Sequence, residues 1–386
     1  MKICDLIQAY TSTSGGIRRY IDQKSEFIGN YTDHEHLIIK PGASDQCHRS
    51  ANMIAYEIES PYLPNYKPYR FNYRLDKVFS ILKEEKPDII ELASPYILPW
   101  SAFCFRKLHA CKVIGFYHTD FPTTYVKSSV TARLGEKTGQ TAESIATQYA
   151  KLIYENCDGT IFPSQMMQEK YRDTDILNSK YIPLGVDLDV FHPGQRDLQI
   201  RKKYAQNEDD ILLIYAGRLD HEKRVNSLMN AFKILSKTGK FSMILVGNGP
   251  LKPELLTQAE QNNRLFVLPY QSEQADLARL LASADIYVTA GPHETFALSV
   301  IEAQACGLPV VGVRAGALIE RIPESVGALA EVNSPEDMAA KIMALSRSDF
   351  KSIGQNARKW VESSFSWNSI FNQIFAFYEF VQSSLN

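Results

Sequence analysis

The sequence predicts an α/β protein with two doubly wound, Rossmann-like parallel sheets. Its 386 residues are more than one hydrophobic core usually organises, which favours two domains of roughly 200 residues each. Short apolar runs alternate with helical stretches along almost the whole chain, and this alternation is typical of βαβ units. It breaks in the segment GVDLDVFHPGQ, where Gly185, Pro193 and Gly194 precede a polar stretch, and we expect a domain boundary there.

The predicted strands fall into two sets, one on each side of that boundary. Those of the first half are KICDLIQAY, HLIIK, DIIELAS, KVIGFYH, GTIFPS and YIPLGV, and those of the second half are DILLIYAG, FSMILVG, RLFVLPY, DIYVTAG and LPVVGV. We predict one domain over residues 1–190, a second over 191–362, and a helix over 363–386 that crosses back toward the first domain. Doubly wound sheets bind ligands outside the carboxyl ends of their strands, so we expect the domains to face each other across a cleft.

Composition narrows the class of protein. Hydrophobic residues make up 45% of the chain and charged residues 22%, the balance of an ordinary globular enzyme. The formal net charge of −2 gives no reason to expect nucleic acid as a partner. The N-terminus lacks the apolar core of a secretory signal, no run of about 18 apolar residues occurs, and the six cysteines form no CxxC pair. These features predict a cytoplasmic protein with reduced cysteines.

One segment departs from the even distribution of charge. From Tyr66 to Lys83 there are five basic residues against one acidic residue, interleaved with aromatic side chains. On a helix, such a pattern can rest on an anionic membrane surface, which would place the protein at the inner face of the membrane. It is also the pattern of a solvated helix whose aromatic side chains face the core, which is the commoner arrangement. Both interpretations stay open at this point.

The strongest indication of chemistry is the segment HETFALSVIEAQACG, between the predicted strands DIYVTAG and LPVVGV. On a helix, Glu294 and Glu302 would fall within about 80° of one face, about 12 Å apart along the axis. The backbone N–H groups at the start of that helix form a cradle for a phosphate. They belong to Thr295, Phe296, Ala297 and Leu298. A nucleotide sugar presents a hexose, a diphosphate and a ribose in the same order. The alternative is that Glu294 caps the helix and Glu302 lies on the surface.

A second group of charges follows the predicted strand DILLIYAG, in the segment YAGRLDHEKRVN. Arg218 and Lys223 lie on a strand-to-helix loop, where two cations can hold a diphosphate and neutralise the charge that develops as it leaves. Such a pair would replace a divalent metal, and we predict neither a metal nor another cofactor. Taken alone, two basic residues in a loop are more often simply solvated.

Two weaker indications lie in the first half of the chain. Gly15 and Gly16 in TSTSGGIRRY allow a ligand to approach the backbone before the first helix, although a glycine pair is equally typical of a tight turn. His118 and Asp120 in KVIGFYHTDFP follow the end of a strand, a position that faces the cleft in such sheets. A structural histidine or a loop-capping aspartate would explain them almost as well.

Two familiar patterns are incomplete. Gly247 and Gly249 in VGNGPLK lack the third glycine of GxGxxG, which disfavours a dinucleotide-binding oxidoreductase. The DxD triplets at 187–189 and 173–175 lie in the predicted linker and in a polar loop, so we predict no metal ligands there.

Taken together, the motifs resemble those of the retaining family-4 glycosyltransferases, which have the GT-B fold. The resemblance rests on SGG, YHTDFP, GVDLDVF, AGRLDHEK, LVGNGPL and the spacing of Glu294 and Glu302, followed by EAQACGLPVV. The chain departs from the family at Ala297, where the family usually has Gly, and at Ala290–Gly291, where it often has Pro-Ser. These departures would narrow the pocket over the sugar.

The resemblance implies a role for each position. The implied catalytic residues are His118 near the 6-hydroxyl of the hexose, Arg218 and Lys223 on the phosphates, and Glu294 on the hexose hydroxyls. The implied donor-binding residues are Gly15, Gly16, Asp120, Gly217, Gly247, Thr295, Phe296, Ala297, Leu298 and Glu302, the last of them at the ribose. The resemblance also implies retention of the anomeric configuration without a metal.

The expected function is transfer of a hexose from a nucleotide sugar of the GDP-mannose or UDP-glucose type to a hydroxyl of a lipid or glycan. A sugar-nucleotide epimerase or a phosphorylase of the same fold is one alternative, and a nucleotide-sugar-binding protein without turnover is another. The complete set of Arg218, Lys223, Glu294 and Glu302 disfavours the last alternative, because cations held against a leaving group are useful chiefly when a group leaves.

Overall fold

The computed structural model describes residues 1–10, 16–63, 67 and 69–384. It divides the chain into two compact units: unit 1 consists of Met1–Leu184 and Asn368–Asn386, and unit 2 of Gly185–Trp367. The sequence predicted boundaries after residues 190 and 362. The chain therefore leaves unit 1 slightly earlier, and returns to it slightly later, than the pattern of apolar runs indicates.

Unit 1 is built on a mostly parallel sheet. Its strands are β1 (Lys2–Leu6), β2 (Ala9–Tyr10), β3 (Glu35–Gly42), β4 (Gln46–Arg49), β5 (Met53–Glu59), β6 (Arg70–Phe71), β7 (Ile89–Leu92), β8 (Lys112–Phe116), β9 (Gly159–Phe162) and β10 (Ser179–Tyr181). The sheet order is β10-β9-β8-β7-β1-β3-β5-β4, in which β4 runs antiparallel to β5, while β2 and β6 form a separate antiparallel pair. Strands β7 and β9 are completely buried, as expected when helices cover both faces of a parallel sheet.

The helices of unit 1 connect these strands. They are α1 (Gly16–Tyr31), α2 (Leu75–Glu85), α3 (Pro99–Arg106), a π-helical turn at Pro122–Lys127, α4 (Ser128–Leu134), α5 (Glu136–Glu155) and α6 (Gln165–Lys170). Helix α1 buries one apolar stripe, and the main core cluster lies between the sheet and helices α2, α3 and α5. The carboxyl ends of β1 and β8 are followed by the two segments that the sequence singled out in this half.

Unit 2 contains a fully parallel sheet in the described residues. Its strands are β11 (Ile211–Ala216), β12 (Phe241–Val246), β13 (Leu265–Leu268), β14 (Ile286–Val288), β15 (Val310–Val313) and β16 (Gly327–Ala330). Their order, β13-β12-β11-β14-β15-β16, places β11 and β14 side by side. The chain reverses its direction of winding at this pair, and the loops after such a pair bind the ligand in doubly wound sheets.

The helices of unit 2 are α7 (Leu198–Tyr204), α8 (Val225–Ser236), α9 (Lys252–Glu260), α10 (Gln274–Ser283), α11 (Leu298–Ala305), α12 (Leu318–Arg321), α13 (Pro335–Arg347) and α14 (Phe350–Ser364), with a short 3₁₀ turn at Pro193–Gln195. A last helix, α15 (Trp367–Ser383), carries the chain back to unit 1. The single helix predicted over residues 363–386 therefore begins later, because α14 continues to Ser364 before the chain turns.

A buried network of charges joins α15 to the sheet of unit 1. The ammonium group of Lys24, on the apolar face of α1, donates to Asp5 Oδ1 at 2.9 Å and to the Tyr378 hydroxyl at 2.8 Å, and lies 3.3 Å from Glu91 Oε2. The Tyr378 hydroxyl in turn donates to Glu91. None of these four side chains is exposed to solvent. A helix from the far end of the chain is thus hydrogen-bonded through Tyr378 to α1 and to β7.

In this network the ammonium group of Lys24 pairs with two buried carboxyl groups, those of Asp5 and Glu91. Burial raises the pKa of Glu91 to about 7, although the attraction of Lys24 opposes the shift. Burial also favours a neutral Asp5, but Lys24 and the hydrogen bond from His36 outweigh it, so the pKa of Asp5 lies below its ordinary value. The two carboxyl groups therefore differ in protonation: Asp5 is ionised and Glu91 titrates near neutrality.

Within its described residues, 67 and 69–83, the basic–aromatic segment does not form the single helix that was expected, and Tyr66 lies outside the described residues. Helix α2 begins only at Leu75, and Arg70–Phe71 form strand β6. The apolar face of α2 is buried, and two of its neighbouring cations are paired: Arg74 with Asp76 at 2.9 Å, and Lys77 with Asp45. Pairing with carboxylates lowers the net positive charge that this surface presents.

Candidate active site

The loops after β11 and β12 are joined by backbone hydrogen bonds beyond the ends of the strands. The amide of Gly217 donates to the Val246 carbonyl at 3.0 Å, and the amide of Leu219 donates to the Asn248 carbonyl at 2.9 Å. A Cβ atom at Gly247, whose φ is +156°, would overlap the carbonyl oxygen of Gly217. A Cβ atom at Gly217 would instead lie 2.7 Å from the Tyr215 hydroxyl, so both glycines, predicted as donor-binding, have a structural reason to lack a side chain.

Arg218 lies in the first of these loops and is held by two carboxylates. Its guanidinium contacts Asp220 at 2.6 Å and also pairs with Glu222, one helical turn further along the chain. The carbonyl of Arg218 accepts a hydrogen bond from the buried Tyr215 hydroxyl at 2.9 Å. Asp220 and Glu222 were not among the predicted site residues, although their place between two cations in RLDHEK could have indicated their role.

Lys223 joins this loop to the one after β14. Its ammonium group donates to Glu294 Oε1 at 2.7 Å and lies 3.7 Å from Glu222 Oε1, and its backbone amide donates to Asp220 at 2.9 Å. Burial lowers the pKa of Lys223, but the carboxylates of Glu294 and Glu222 outweigh this effect and raise the pKa above its ordinary value. Lys223 is therefore a permanent cation, four-fifths buried.

Glu294 is not on the helix where the sequence placed it. Helix α11 begins at Leu298, so Glu294 lies in the preceding loop, and the predicted arrangement of Glu294 and Glu302 on one helical face is wrong. The helix cannot start earlier because Ala297 adopts a left-handed conformation, with φ +67° and ψ +57°. Residues with a Cβ atom rarely adopt this conformation, and the spacing of apolar residues in the sequence does not indicate it.

The loop of Glu294 is anchored by the turn after β15. The amide of Ala317 donates to the Glu294 carbonyl at 2.8 Å. Gly316, with φ +57°, approaches so closely that a Cβ atom there would lie 2.8 Å from the carbonyl oxygens of Pro292 and Glu294. The loop after β14 and the turn after β15 are therefore held together, and this contact fixes the backbone that carries the Glu294 side chain.

The remaining donor-side residues surround the start of α11. Thr295, Phe296 and Ala297 lead into the helix, which Leu298 begins, and Phe296 is buried. Glu302 is 2% exposed and lies on the second turn of α11, so the alternative of a surface glutamate is wrong. The amides of the first helical turn have no acceptor within the helix, as at every helix start.

In unit 1, His118 follows β8 and is packed between aromatic rings. It stacks on Phe116 with ring centroids 4.0 Å apart, and the Tyr20 ring lies 5.1 Å away. Burial lowers the pKa of His118 to about 3. The imidazole is therefore neutral at physiological pH and suited to hydrogen bonding rather than to carrying charge.

Asp120 is engaged by its own loop. Its carboxylate accepts hydrogen bonds from the Tyr117 hydroxyl at 2.7 Å, the Thr123 hydroxyl at 2.9 Å and the Lys170 ammonium group at 2.7 Å. These contacts favour a structural role, and sugar binding by Asp120 stays a prediction.

Gly16 begins α1 with open space around its Cα, whereas Gly15 lies outside the described residues.

The structure shows no preformed metal cluster and no membrane-spanning helix in the residues that it describes. Among residues 1–10, 16–63, 67 and 69–384, no group of three or more His, Cys, Asp or Glu side chains is arranged to hold a metal ion. Within the same residues, every helix is too short or too polar to cross a bilayer.

Comparison with known families matches both halves of the chain. The model described as Glycosyltransferase Family 4 matches residues 14–190, and that described as Glycosyl transferases group 1 matches residues 197–360. The chain is a GT-B glycosyltransferase. The two matches meet near the passage from unit 1 to unit 2, so each family model corresponds to one Rossmann-like half of the glycosyltransferase.

Relatives and solved structures agree with this assignment. The glycosyltransferase is 29% identical over 336 residues to the GDP-mannose-dependent alpha-mannosyltransferase of Corynebacterium glutamicum, covering 85% of this chain and 76% of that protein. It is 29% identical to the GDP-mannose-dependent alpha-(1-6)-phosphatidylinositol dimannoside mannosyltransferase of Mycobacterium tuberculosis, covering 89% and 87%. Sucrose-phosphate synthase from Thermosynechococcus elongatus shares the fold, with a TM-score of 0.79, 20% identity and 98% coverage of both chains.

Proposed function

We propose that this glycosyltransferase moves a mannosyl group from GDP-mannose to a hydroxyl of a lipid or glycan acceptor, with retention of the anomeric configuration. The observation that carries the proposal is the chain of ion pairs linking Arg218, Glu222, Lys223 and Glu294 at the loops after β11 and β14. It holds two cations where a diphosphate leaves and a carboxylate within 3 Å of one of them. The two relatives named above are both GDP-mannose-dependent mannosyltransferases, and this supports the choice of donor.

The proposed reaction needs no group beyond the donor, the acceptor and these side chains. The bond between the anomeric carbon and the diphosphate breaks, the acceptor oxygen bonds to that carbon on the same face, and the acceptor proton passes to the departing phosphate oxygen. Arg218 and Lys223 stabilise the charge that develops on the diphosphate, and Glu294 accepts hydrogen bonds from sugar hydroxyls. His118, neutral because of its low pKa, would hydrogen-bond to the hexose without competing for the phosphate.

A panel of nucleotide sugars tests the donor. Each compound is scored for protection against thermal unfolding and for slow hydrolysis to free sugar, and GDP-mannose is expected to give the largest effect on both. Protection by UDP-glucose alone would reject the proposed donor but leave the reaction class intact. An isomerised nucleotide sugar or a free sugar phosphate would instead support an epimerase or a phosphorylase, and protection without turnover over a broad acceptor screen would support a binding protein.

We further propose that transfer is independent of metal ions. The presence of two fixed cations at the loop after β11 supports this, because they supply the charge that a divalent ion would otherwise supply. Activity is expected to be unchanged after dialysis against EDTA. A loss that Mg²⁺ or Mn²⁺ restores would overturn this part of the proposal.

A lipid acceptor would require contact with a membrane surface, and one patch of unit 1 suits that contact. Tyr73, Leu75 and Trp100 are 52%, 37% and 38% exposed, and the Ser101 hydroxyl donates to the Leu75 carbonyl, so the start of α2 and the start of α3 are neighbours. Cosedimentation with vesicles containing anionic lipid tests the contact. Replacing Tyr73 and Trp100 with Ser should weaken sedimentation, and equal sedimentation of the wild-type and the variant would remove this patch from the proposal.

A further inference from the structure

The donor-side loop from Glu294 to Ala297 holds a conformation that its sequence does not favour. Ala297 is left-handed, a backbone state that is disfavoured about tenfold for a residue with a Cβ atom. Such a state persists only when the surrounding structure fixes it from several sides. The contacts of this loop therefore show which residues hold it.

Helix α12 and the residue before it contact two residues that precede the strained Ala297. Near its start, the Ala317 amide donates to the Glu294 carbonyl at 2.8 Å. At its end, the guanidinium of Arg321 lies over the Phe296 ring at 4.6 Å and over the Phe365 ring at 5.0 Å. Glu294 and Phe296 are thus both fixed to one short helix, one through the backbone and the other through a side chain.

The burial of Arg321 is unusual for an arginine. Its side chain is 2% exposed, and Phe296 and Phe365, whose ring centroids both lie within 5.0 Å of the guanidinium, are 3% and 2% exposed. A buried cation is rarely the most stabilising choice, since an apolar side chain of similar volume often serves the fold as well or better. Besides the pair that Arg321 forms with Glu320 on its own helix, at 3.5 Å, its guanidinium contacts the donor-side loop through Phe296, and this contact can act on the conformation of that loop.

We propose that Arg321 is a positioning residue for the donor: by stacking on Phe296 it keeps the loop from Glu294 to Ala297 in the left-handed conformation that binds the nucleotide sugar. The proposal rests on the proposed function, because it takes this loop to be the donor-binding loop. Without the stack, Ala297 relaxes, the binding-competent conformation becomes a minor state, and the apparent affinity for the donor falls in proportion.

The test combines Arg321→Met with Ala297→Gly. Arg321→Met removes the cation and keeps the length of the side chain, and it should raise the donor KM about tenfold while kcat changes less than threefold. Glycine has no left-handed penalty. Ala297→Gly should therefore recover most of the loss, so that Arg321→Met raises KM less than threefold when it is introduced into the Ala297→Gly variant. Additive effects of the two substitutions, or an unchanged KM in Arg321→Met, would overturn the proposal.

Arg358 offers a matched control in the same unit. It is also partly buried and donates to the carbonyl of Ala305 at 2.8 Å, at the far end of α11 from the loop. Arg358→Met should lower the melting temperature without changing the donor KM. If Arg321→Met does not fold, Arg321→Lys replaces it: lysine keeps the charge but lacks the planar face that stacks, so an intermediate KM that Ala297→Gly restores is expected.

Amide hydrogen exchange in the ligand-free protein separates this inference from the proposed function. Arg321→Met should speed exchange at residues 294–298 about tenfold and leave the loop after β12 unchanged. Faster exchange with no activity on any nucleotide sugar, in the wild-type protein as well, would reject the proposed function and keep the role of Arg321 in the loop. Unchanged exchange would reject the role itself.

Discussion

The contact between Lys223 and Glu294 joins the two loops that carry the donor-side charges, and its strength can be worked out. At 2.7 Å, two unit charges attract by about 1.5 kcal/mol in water and by about 6 kcal/mol at an effective dielectric constant of 20. The side chains are 19% and 18% exposed, so their desolvation offsets part of that attraction. We expect a net coupling of about 2 kcal/mol.

A double-mutant cycle measures this coupling. Lys223→Met and Glu294→Gln preserve side-chain length, and the free energy of unfolding in urea is compared for the wild-type, both single variants and the double variant. Of the three tryptophans, Trp360 and Trp367 lie in unit 2 and Trp100 lies in unit 1. A Trp100→Phe background therefore restricts the fluorescence signal to unit 2, which avoids mixing the transitions of two units.

An exposed pair in the same unit provides the comparison. Arg314 and Glu331 lie 3.5 Å apart, with side chains 55% and 70% exposed, and their coupling should not exceed about 0.5 kcal/mol. A Lys223–Glu294 coupling no larger than that of this control would refute the reasoning, because the loops would then not be joined in solution. With a coupling near 2 kcal/mol, both single variants should also lose protection by GDP.

Three further outcomes follow from the site and from the buried network. Gly316→Ala should lower the melting temperature of unit 2 and raise the donor KM about tenfold, because a Cβ atom would meet the carbonyl oxygens of Pro292 and Glu294 at a left-handed φ; Gly239→Ala, also left-handed but with open space, should show the stability loss without the KM change. His118→Asn should lower kcat/KM about tenfold or more but leave its pH profile between pH 5 and 8 unchanged in shape, since the pKa of His118 is already about 3; an inflection that disappears in the variant would contradict this. Glu91→Gln should gain stability relative to the wild-type as the pH rises from 5 to 7, by up to about 1 kcal/mol per pH unit, and a pH-independent difference in urea unfolding would contradict it. The sign follows because the folded protein keeps the Glu91 proton up to about pH 7 whereas the unfolded carboxyl loses it near 4.5, so the folded wild-type binds more protons in this range.

The sequence predicted the parallel sheets better than their edges. Strands β11, β12, β14 and β15 are continuous apolar runs, and each was predicted. Strand β5, MIAYEIE, is only partly buried and contains two glutamates, and β16, GALA, contains only small and apolar side chains without a β-branched residue. Strand β16 lies at the edge of its sheet and has one neighbour, and β5 lies between β3 and the exposed edge strand β4, so neither has the continuous apolar pattern of a strand buried on both faces.

The candidate site was predicted by residue type more successfully than by geometry. Lys223 and Glu294 were both selected, but their contact joins residues 71 positions apart, and apolar spacing contains no information on such a pairing. The left-handed Ala297 moved the start of α11 by four residues. The buried network was missed, yet it had a signal: Lys24 interrupts the apolar stripe of α1, and Asp5 and Glu91 each stand between apolar residues of a buried strand.

The hydrogen bond between Lys24 and Tyr378 spans 354 positions of the chain. A ribosome adding about 5–20 residues per second would need roughly 20–70 s to make the second partner after the first. During that time unit 1 would hold a buried ammonium group with one of its partners unmade, while unit 2 is synthesised in full. Unit 1 is thus the first unit to begin folding and the last to be completed, because α15 is made only after all of unit 2.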